Sequence, residues 1–200
     1  MPLTAQGYFN CLHAYLNLSH YGEPTTDAGQ IVLKEKVFQQ SGSKPKEYRV
    51  TLKTSGEVIV FKLDRQKNGS SLPLFHFLDD TAKPWSKRCD FVVFNRRKNQ
   101  LFAYCFEFKS ESIPHDAHLQ LKASLDWVKA LHATINAYTG EKLSLRLTKF
   151  ILTEMQNAAT FLDAEGKYLS RDHTVRHYLY SEINGMALED LDNTNVDMIR

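Results

Sequence analysis

Short apolar runs bounded by polar residues recur through the middle of the chain, and runs of this length are typical of β-strands. Two of them, CDFVVF (89–94) and QLFAYCFEF (100–108), are separated by the polar segment NRRKN (95–99). This arrangement predicts a pair of adjacent antiparallel strands. A later run, LSLRLTKFILTEM (143–155), predicts a further strand.

Three more strands are predicted in the first half of the chain. YRVTLKT (48–54) and EVIVFKL (57–63) flank Ser55 and Gly56, a combination that indicates a hairpin. LPLFHFL (72–78) predicts the third strand.

Other segments have the periodicity of helices. Apolar residues at helical spacing predict a long helix over about 115–138, which Gly140 would close. An aromatic-rich segment predicts a short helix within 4–20. A third helix is predicted over about 27–40, because a Thr-Thr-Asp sequence at its start offers residues of the N-cap type.

The order of these elements is helix, several strands, long helix and strand. It predicts an α/β or α+β domain in which helices flank a central mixed β-sheet. A chain of 200 residues suits one domain over 1–200. Within it, about 1–24 is expected to be an N-terminal extension and about 190–200 a loose C-terminal tail.

Composition narrows the class of protein. Hydrophobic residues make up 42% of the chain and charged residues 24%, as in soluble globular proteins. The formal net charge of +2 is compatible with a nucleic-acid partner without requiring one. No apolar run approaches the roughly 20 residues of a membrane span. Three cysteines without a CxxC motif indicate reduced thiols and a cytoplasmic protein.

Two charged residues lie at the end of the predicted strand 100–108. Glu107 and Lys109 are two positions apart and share one face of the strand, where charges cost free energy unless they are paired or bound. Asp90, at the start of the preceding strand, would lie near Glu107, and two neighbouring carboxylates repel each other unless a cation lies between them. Oxygen ligands of this kind suit Mg²⁺ or Mn²⁺, and a nearby lysine could orient water for phosphodiester hydrolysis. The alternative is a structural salt bridge.

Three segments together resemble the PD-(D/E)xK nuclease superfamily, which has the restriction-endonuclease-like fold. They are KRCDFVVFN (87–95), AYCFEFKS (103–110) and HLQLKASL (118–125), and the pattern is most similar to small prokaryotic stand-alone members. Cys89 stands where the superfamily has its proline, and Ser110 where related sequences often have glycine. Neither difference removes a ligand.

The resemblance implies roles for particular residues. Asp90, Glu107 and the backbone carbonyl of Phe108 would bind Mg²⁺ or Mn²⁺, Lys109 would be the catalytic lysine, and Gln120 would face the site from the following helix.

The first helix of the superfamily often adds a glutamate. Glu35 is the candidate here, with Glu23 behind it, although Lys34 and Lys36 argue equally for a solvated face. If the fold is correct, basic residues near the two strands could contact a phosphate backbone: Lys87, Arg88, Arg96, Arg97 and Lys98.

Two functional interpretations follow. The first is a metal-dependent nuclease for which DNA is favoured over RNA as the substrate, in defence against foreign DNA or in repair. A protein partner or a homodimer is compatible with it. The second is a catalytically silent nuclease-like protein that binds a partner protein or nucleic acid. The first is favoured because the set of Asp90, Glu107 and Lys109 is intact. In this nuclease, a bound cation and partial burial are expected to lower the pKa of Lys109.

Two other patterns have weaker claims. His173 and His177 have the spacing of one helix face, which a solvated basic surface explains better than a metal site. A second Glu-x-Lys sequence, Glu165 and Lys167, lies in a glycine-containing turn and is assigned no function.

Overall fold

The computed structural model describes residues 4–23, 29–37, 46–64, 66–67, 70–71, 84–110, 113–140, 143–154 and 160–200. In chain order its first elements are α1 (Ala5–Tyr15), α2 (Leu18–Tyr21), β1 (Gly22–Glu23), β2 (Gln30–Val37), β3 (Lys46–Lys53), β4 (Glu57–Lys62), β5 (Gln66–Lys67) and β6 (Ser70–Ser71). They are followed by β7 (Phe91–Arg97), β8 (Gln100–Phe108), α3 (Ala117–Thr139), β9 (Leu145–Thr153), β10 (Tyr168–Leu169), β11 (Asp172–Leu179), α4 (Tyr180–Ile183) and β12 (Asp197–Ile199). None of the helices within these ranges is long and apolar enough to span a membrane.

Eight strands form one mixed sheet in the order β1-β4-β7-β8-β9-β11-β10, with β12 also paired to β9. The predicted antiparallel pair is confirmed, since β7 and β8 run antiparallel on either side of a short turn. Strands β8 and β9 run parallel, and the long helix α3 makes the crossover between them, as a parallel pair requires. The fold is therefore α+β with helices flanking a large mixed sheet.

Each face of this sheet has its own hydrophobic core. On one face, α1 and α3 cover residues of the central strands such as Val92, Ala103 and Cys105. On the other face, the separate two-stranded sheet of β2 and β3 covers their neighbours, including Val93 and Phe106. The central strands are buried on both sides, which is why they are almost continuously apolar.

The helix expected over 27–40 is wrong: its described part contains the strand β2. Ile31, Leu33 and Glu35 are buried, whereas Lys34 and Lys36 are exposed. This two-residue alternation is that of a strand with one face packed against the central sheet. The run Ile31 to Leu33 fits either structure by composition, and packing against β7 and β8 decides it.

The predicted hairpin around Gly56 is also wrong, although both of its strands exist. Strand β3 pairs with β2, and β4 pairs with β1 and β7. Gly56 has φ of 78°, and a Cβ atom there would lie 2.1 Å from the carbonyl oxygen of Arg96, so a side chain at this position would block the approach of β7. The strand predicted over 72–78 lies outside the described residues.

Both chain ends are better integrated than expected. Tyr8, Phe9 and Leu12 of α1 are fully buried in the core beside α3, so the segment expected as an extension contributes to packing. The tail expected to be loose contains β12, which pairs with β9 and buries Ile199. The long helix and its closure at Gly140, which has φ of 72°, are as predicted.

Candidate active site

The register of the central hairpin brings Asp90 and Glu107 to the same end of the sheet. Phe91 pairs with Phe106. Because the two strands are antiparallel, the residue before Phe91, which is Asp90, lies opposite the residue after Phe106, which is Glu107. The N–H of Leu63, just after β4, donates to the carbonyl oxygen of Asp90 and continues the pairing with β4. The ends of β4 and β8 and the start of β7 therefore meet around Asp90.

Asp90 is only 8% exposed, and one contact fixes its carboxylate. Its Oδ2 atom accepts a hydrogen bond from the N–H of Phe108 at 2.5 Å, which ties it to the last residue of β8. Burial, and then the negative charge of Glu107, raise the pKa of Asp90 well above its ordinary value, and the hydrogen bond from Phe108 opposes this only in part. The two carboxylates are thus close enough to repel each other.

Glu107 is 1% exposed and only half satisfied. Its Oε1 atom accepts a hydrogen bond from Nζ of Lys109, whereas Oε2 is buried and has no hydrogen-bond partner among the described residues. Burial raises the pKa of Glu107 to about 7, although Lys109 acts in the opposite direction. A buried carboxylate oxygen without a donor is costly unless something else binds it.

Two hydrogen bonds fix the backbone of Lys109 beside Glu107. Its backbone N–H donates to the carbonyl oxygen of Leu152, and the hydroxyl of Tyr180 donates to its own carbonyl oxygen at 2.8 Å. The lowering of the Lys109 pKa that is expected beside a bound cation stays a prediction, because only the protein's own groups act on Lys109 here. Burial alone would lower the pKa of Lys109, but the charge and hydrogen bond of Glu107, with Asp90 adding to them, raise it. Nζ of Lys109 thus acts as a hydrogen-bond donor to Glu107.

Two further carboxylates come from other elements. Oxygen atoms of Glu35, on β2, and of Asp64, just after β4, lie within 4.8 Å of each other and of an oxygen of Asp90. Glu35 is therefore at the site, as the sequence suggested, but it comes from a strand rather than a helix. Burial raises the pKa of Asp64 to about 6, and the charge of Glu35 adds to this effect.

Sequence reasoning missed Asp64. The available signal was its place directly after the run 57–63; Asp90 also flanks an apolar run, but at its start. A lone acidic residue in a turn is too common to select without knowing that β4 pairs with β7.

A second lysine lies among these acids. Nζ of Lys62 is 2.5 Å from Oε2 of Glu35 and 3.9 Å from Oδ1 of Asp64. Burial would lower the pKa of Lys62, but the hydrogen bond to Glu35 and the nearby negative charges raise it. Three of the four carboxylates therefore have a lysine within ion-pair distance, because Glu35 and Asp64 share Lys62 and Glu107 has Lys109. Oδ1 of Asp64 is nevertheless buried and has no hydrogen-bond donor among the described residues.

The helix α3 supports the segment that leads into Asp90. The side-chain amide of Gln120 donates to the carbonyl oxygen of Arg88 at 3.2 Å, and the hydroxyl of Ser124 accepts from the N–H of Cys89. Gln120 also reaches a pocket that is open to solvent. The pocket is lined by Asp64, Ser86, Lys87, Arg88, Asp90, Asp116 and Gln120.

The basic residues expected to bind nucleic acid divide into two groups. Lys87, which forms an ion pair with Asp116, and Arg88 line this pocket. Arg96 and Arg97 lie at the opposite end of β7, where Arg96 pairs with Glu57 and Arg97 donates to the hydroxyl of Tyr104. Lys98 lies with them, in the turn that joins β7 to β8. Only the first group lies beside the acidic residues.

The remaining candidates have structural surroundings. His173 and His177 belong to the strand β11, so they do not lie on a helix face. His177 is buried and shares a hydrogen bond with the hydroxyl of Thr153. Glu165 and Lys167 form an exposed ion pair of 3.3 Å.

The chain was compared with protein-family models, with curated proteins and with solved structures, and none of the three comparisons found a match.

Proposed function

We propose that this protein is a metal-dependent nuclease that hydrolyses phosphodiester bonds. The observation that carries the proposal is the convergence of Glu35, Asp64, Asp90 and Glu107 at one end of the sheet, beside an open pocket, with one buried oxygen of Glu107 unpartnered. Such a group of carboxylates is costly in the absence of a cation.

The acidic residues fit a divalent cation. Carboxylate oxygens are the ligands that Mg²⁺ and Mn²⁺ prefer. Burial first, and then the negative charges of neighbouring carboxylates, raise the pKa values of Asp64, Asp90 and Glu107. Asp90 and Glu107 would hold the ion, with the Phe108 carbonyl that the resemblance implies. When bound, the ion would stabilise negative charge that develops on the phosphate.

The residues around the acids would complete the reaction. Lys109 pairs with Glu107 and is partly exposed, so its ammonium can also donate to a water molecule or to a phosphate oxygen. Gln120 holds the segment before Asp90 through the carbonyl of Arg88. Lys87 and Arg88 line the pocket and would contact the phosphates of a nucleic acid, of which DNA is the proposed form.

The three free cysteines, two of them buried, support a reducing compartment. We therefore place the proposed activity in the cytoplasm, in defence against foreign DNA or in repair.

One observation favours a catalytically silent protein that binds a partner. Glu35 and Glu107 are each paired with a lysine, as in structural salt bridges. The unpartnered oxygen of Glu107 favours the nuclease over this alternative.

Cleavage of plasmid and of labelled oligonucleotides, DNA and RNA, with Mg²⁺ or Mn²⁺ tests the proposal. Asp90→Asn and Glu107→Gln should each reduce the rate by about 100-fold or more, and a chelator should abolish it. Glu165→Gln, in the exposed Glu-x-Lys pair, is the matched control and should cleave like the wild type. A wild-type protein that neither cleaves any of these substrates nor is stabilised by Mn²⁺ would contradict the proposal.

A further inference from the structure

Lys62, the last residue of β4, has a position built for a cation. Its side chain is 18% exposed, and its Nζ atom contacts Glu35 at 2.5 Å and approaches Asp64 at 3.9 Å. Nζ also lies over the Phe91 ring, 5.1 Å from its centre, and the face of an aromatic ring attracts positive charge. The ammonium is thus surrounded by groups that stabilise it.

Asp90 belongs to two acidic groups at once. One group is Asp90 with Glu107, opposite each other in the register and coupled by charge, where Oε2 of Glu107 is buried and unpartnered. The other is Asp90 with Glu35 and Asp64, whose oxygens lie within 4.8 Å of one another. Lys62 contacts the second group, and Lys109 contacts the first.

The two lysines leave their groups in different states. Lys109 occupies Oε1 of Glu107 and leaves Oε2 without a donor. Lys62 instead lies between two carboxylates. It pairs with Glu35 through the oxygen that is not engaged by the N–H of Lys36, so both oxygens of Glu35 are satisfied. Oδ1 of Asp64 is buried without a hydrogen-bond donor among the described residues, but the ammonium of Lys62 lies 3.9 Å from it and offsets its charge. A divalent ion at the second group would have to displace this pair or lie beside a like charge, and both are unfavourable.

We propose that the ammonium of Lys62 is a resident cation that takes the place of a second divalent ion at Glu35, Asp64 and Asp90. The site then binds one ion, between Asp90 and Glu107. This inference deepens the proposed nuclease function and depends on it for the role of that ion.

Counting bound Mn²⁺ on the full-length chain tests the proposal, by titration calorimetry and by the electron paramagnetic resonance signal of free Mn²⁺. Lys62→Met keeps a long side chain but removes the charge, so it should bind one Mn²⁺ more than the wild type. Lys62→Arg keeps the charge and should bind the same number as the wild type. Equal numbers for Lys62→Met and the wild type would overturn the proposal.

A double variant identifies the ligands of the extra ion. Adding Glu35→Gln to Lys62→Met removes one carboxylate of the second group, so the extra ion should be lost while binding at Asp90 and Glu107 remains. An extra ion that persists in the double variant would have other ligands, which would also overturn the proposal.

The melting temperature tests the proposal even if Lys62→Met folds poorly. In chelator, Lys62→Met should melt at a lower temperature than the wild type, because Glu35 and Asp64 lose their partner, and Mn²⁺ should raise its melting temperature more than that of the wild type. A variant that Mn²⁺ does not rescue contradicts the proposal.

The number of Mn²⁺ ions that the wild type binds tests the proposed nuclease function separately. A wild type that binds no Mn²⁺ while Lys62→Met binds one would reject the nuclease and retain the resident cation.

Discussion

Replacement of Glu107 by glutamine distinguishes two possible roles of Glu107, that of a metal ligand and that of a structural ion-pair partner. In the folded protein the pKa of Glu107 rises from an ordinary value of 4.5 to about 7, mainly through burial. The folded state therefore binds the proton of Glu107 more tightly than the unfolded state does. The stability associated with this proton is fully present below pH 4.5 and is lost as the pH rises to about 7.

The size of the effect follows from the shift. An increase from 4.5 to about 7 corresponds to about 3 kcal/mol of folding free energy once the carboxyl is ionised. Glutamine is neutral and has the shape of the protonated acid, so Glu107→Gln should be more stable than the wild type by up to about 3 kcal/mol at about pH 8 without metal. The attraction of Lys109 is already included in the shift.

Urea unfolding in chelator, at about pH 5 and about pH 8, measures this difference directly. Asp64 and Asp90 also have raised pKa values, so the comparison between the variant and the wild type is informative, whereas the pH dependence of either protein alone is not. Mn²⁺ should then stabilise the wild type and leave Glu107→Gln nearly unchanged. Glu165→Gln, in an exposed pair, should change stability by less than about 0.5 kcal/mol.

The opposite sign would refute this account. If Glu107→Gln is less stable than the wild type at about pH 8 and Mn²⁺ stabilises neither protein, Glu107 is the partner of Lys109 in a structural salt bridge. Breaking such a buried pair costs about 3–5 kcal/mol.

Three further outcomes are expected. Lys109→Ala should abolish Mg²⁺-dependent cleavage and leave the DNA affinity, measured by filter binding, nearly unchanged. The control Lys167→Ala should keep full activity. Equal activity of the two variants would reject a catalytic role for Lys109. Asp64→Asn should weaken Mn²⁺ binding by about tenfold in calorimetry, and unchanged affinity would remove Asp64 from the site. Tyr8→Phe should lower the unfolding free energy by about 1–3 kcal/mol, because the buried Nδ1 of His132 loses its 2.9 Å partner, and an unchanged urea midpoint would contradict this role.

The predictions that succeeded concern neighbours in the sequence. The hairpin of β7 and β8 is joined by a turn of a few residues, so its register, and with it the placement of Asp90 opposite Glu107, follows from local pattern. The helix α3 and its end at Gly140 likewise follow from a periodicity that runs through its whole length.

The predictions that failed depend on partners distant in the sequence. Residues 31–33 are apolar in any conformation, and only the sheet face they cover makes them a strand. Strands β3 and β4 are adjacent in sequence, yet β4 pairs with β7 in the central sheet, where it has residues in both cores. The buried residues of β3 lie in the second core alone.

The candidate site divides in the same way. Asp90, Glu107 and Lys109 could be selected from sequence, because charged residues at the ends of apolar strands require a partner or a ligand. Asp64 and Lys62 could not, because a charged residue at or just after the end of a strand is ordinary at a protein surface. Only the pairing of β4 with β7 and the packing of β2 above them bring Asp64, Lys62 and Glu35 to Asp90, and at such short range their charges act on one another.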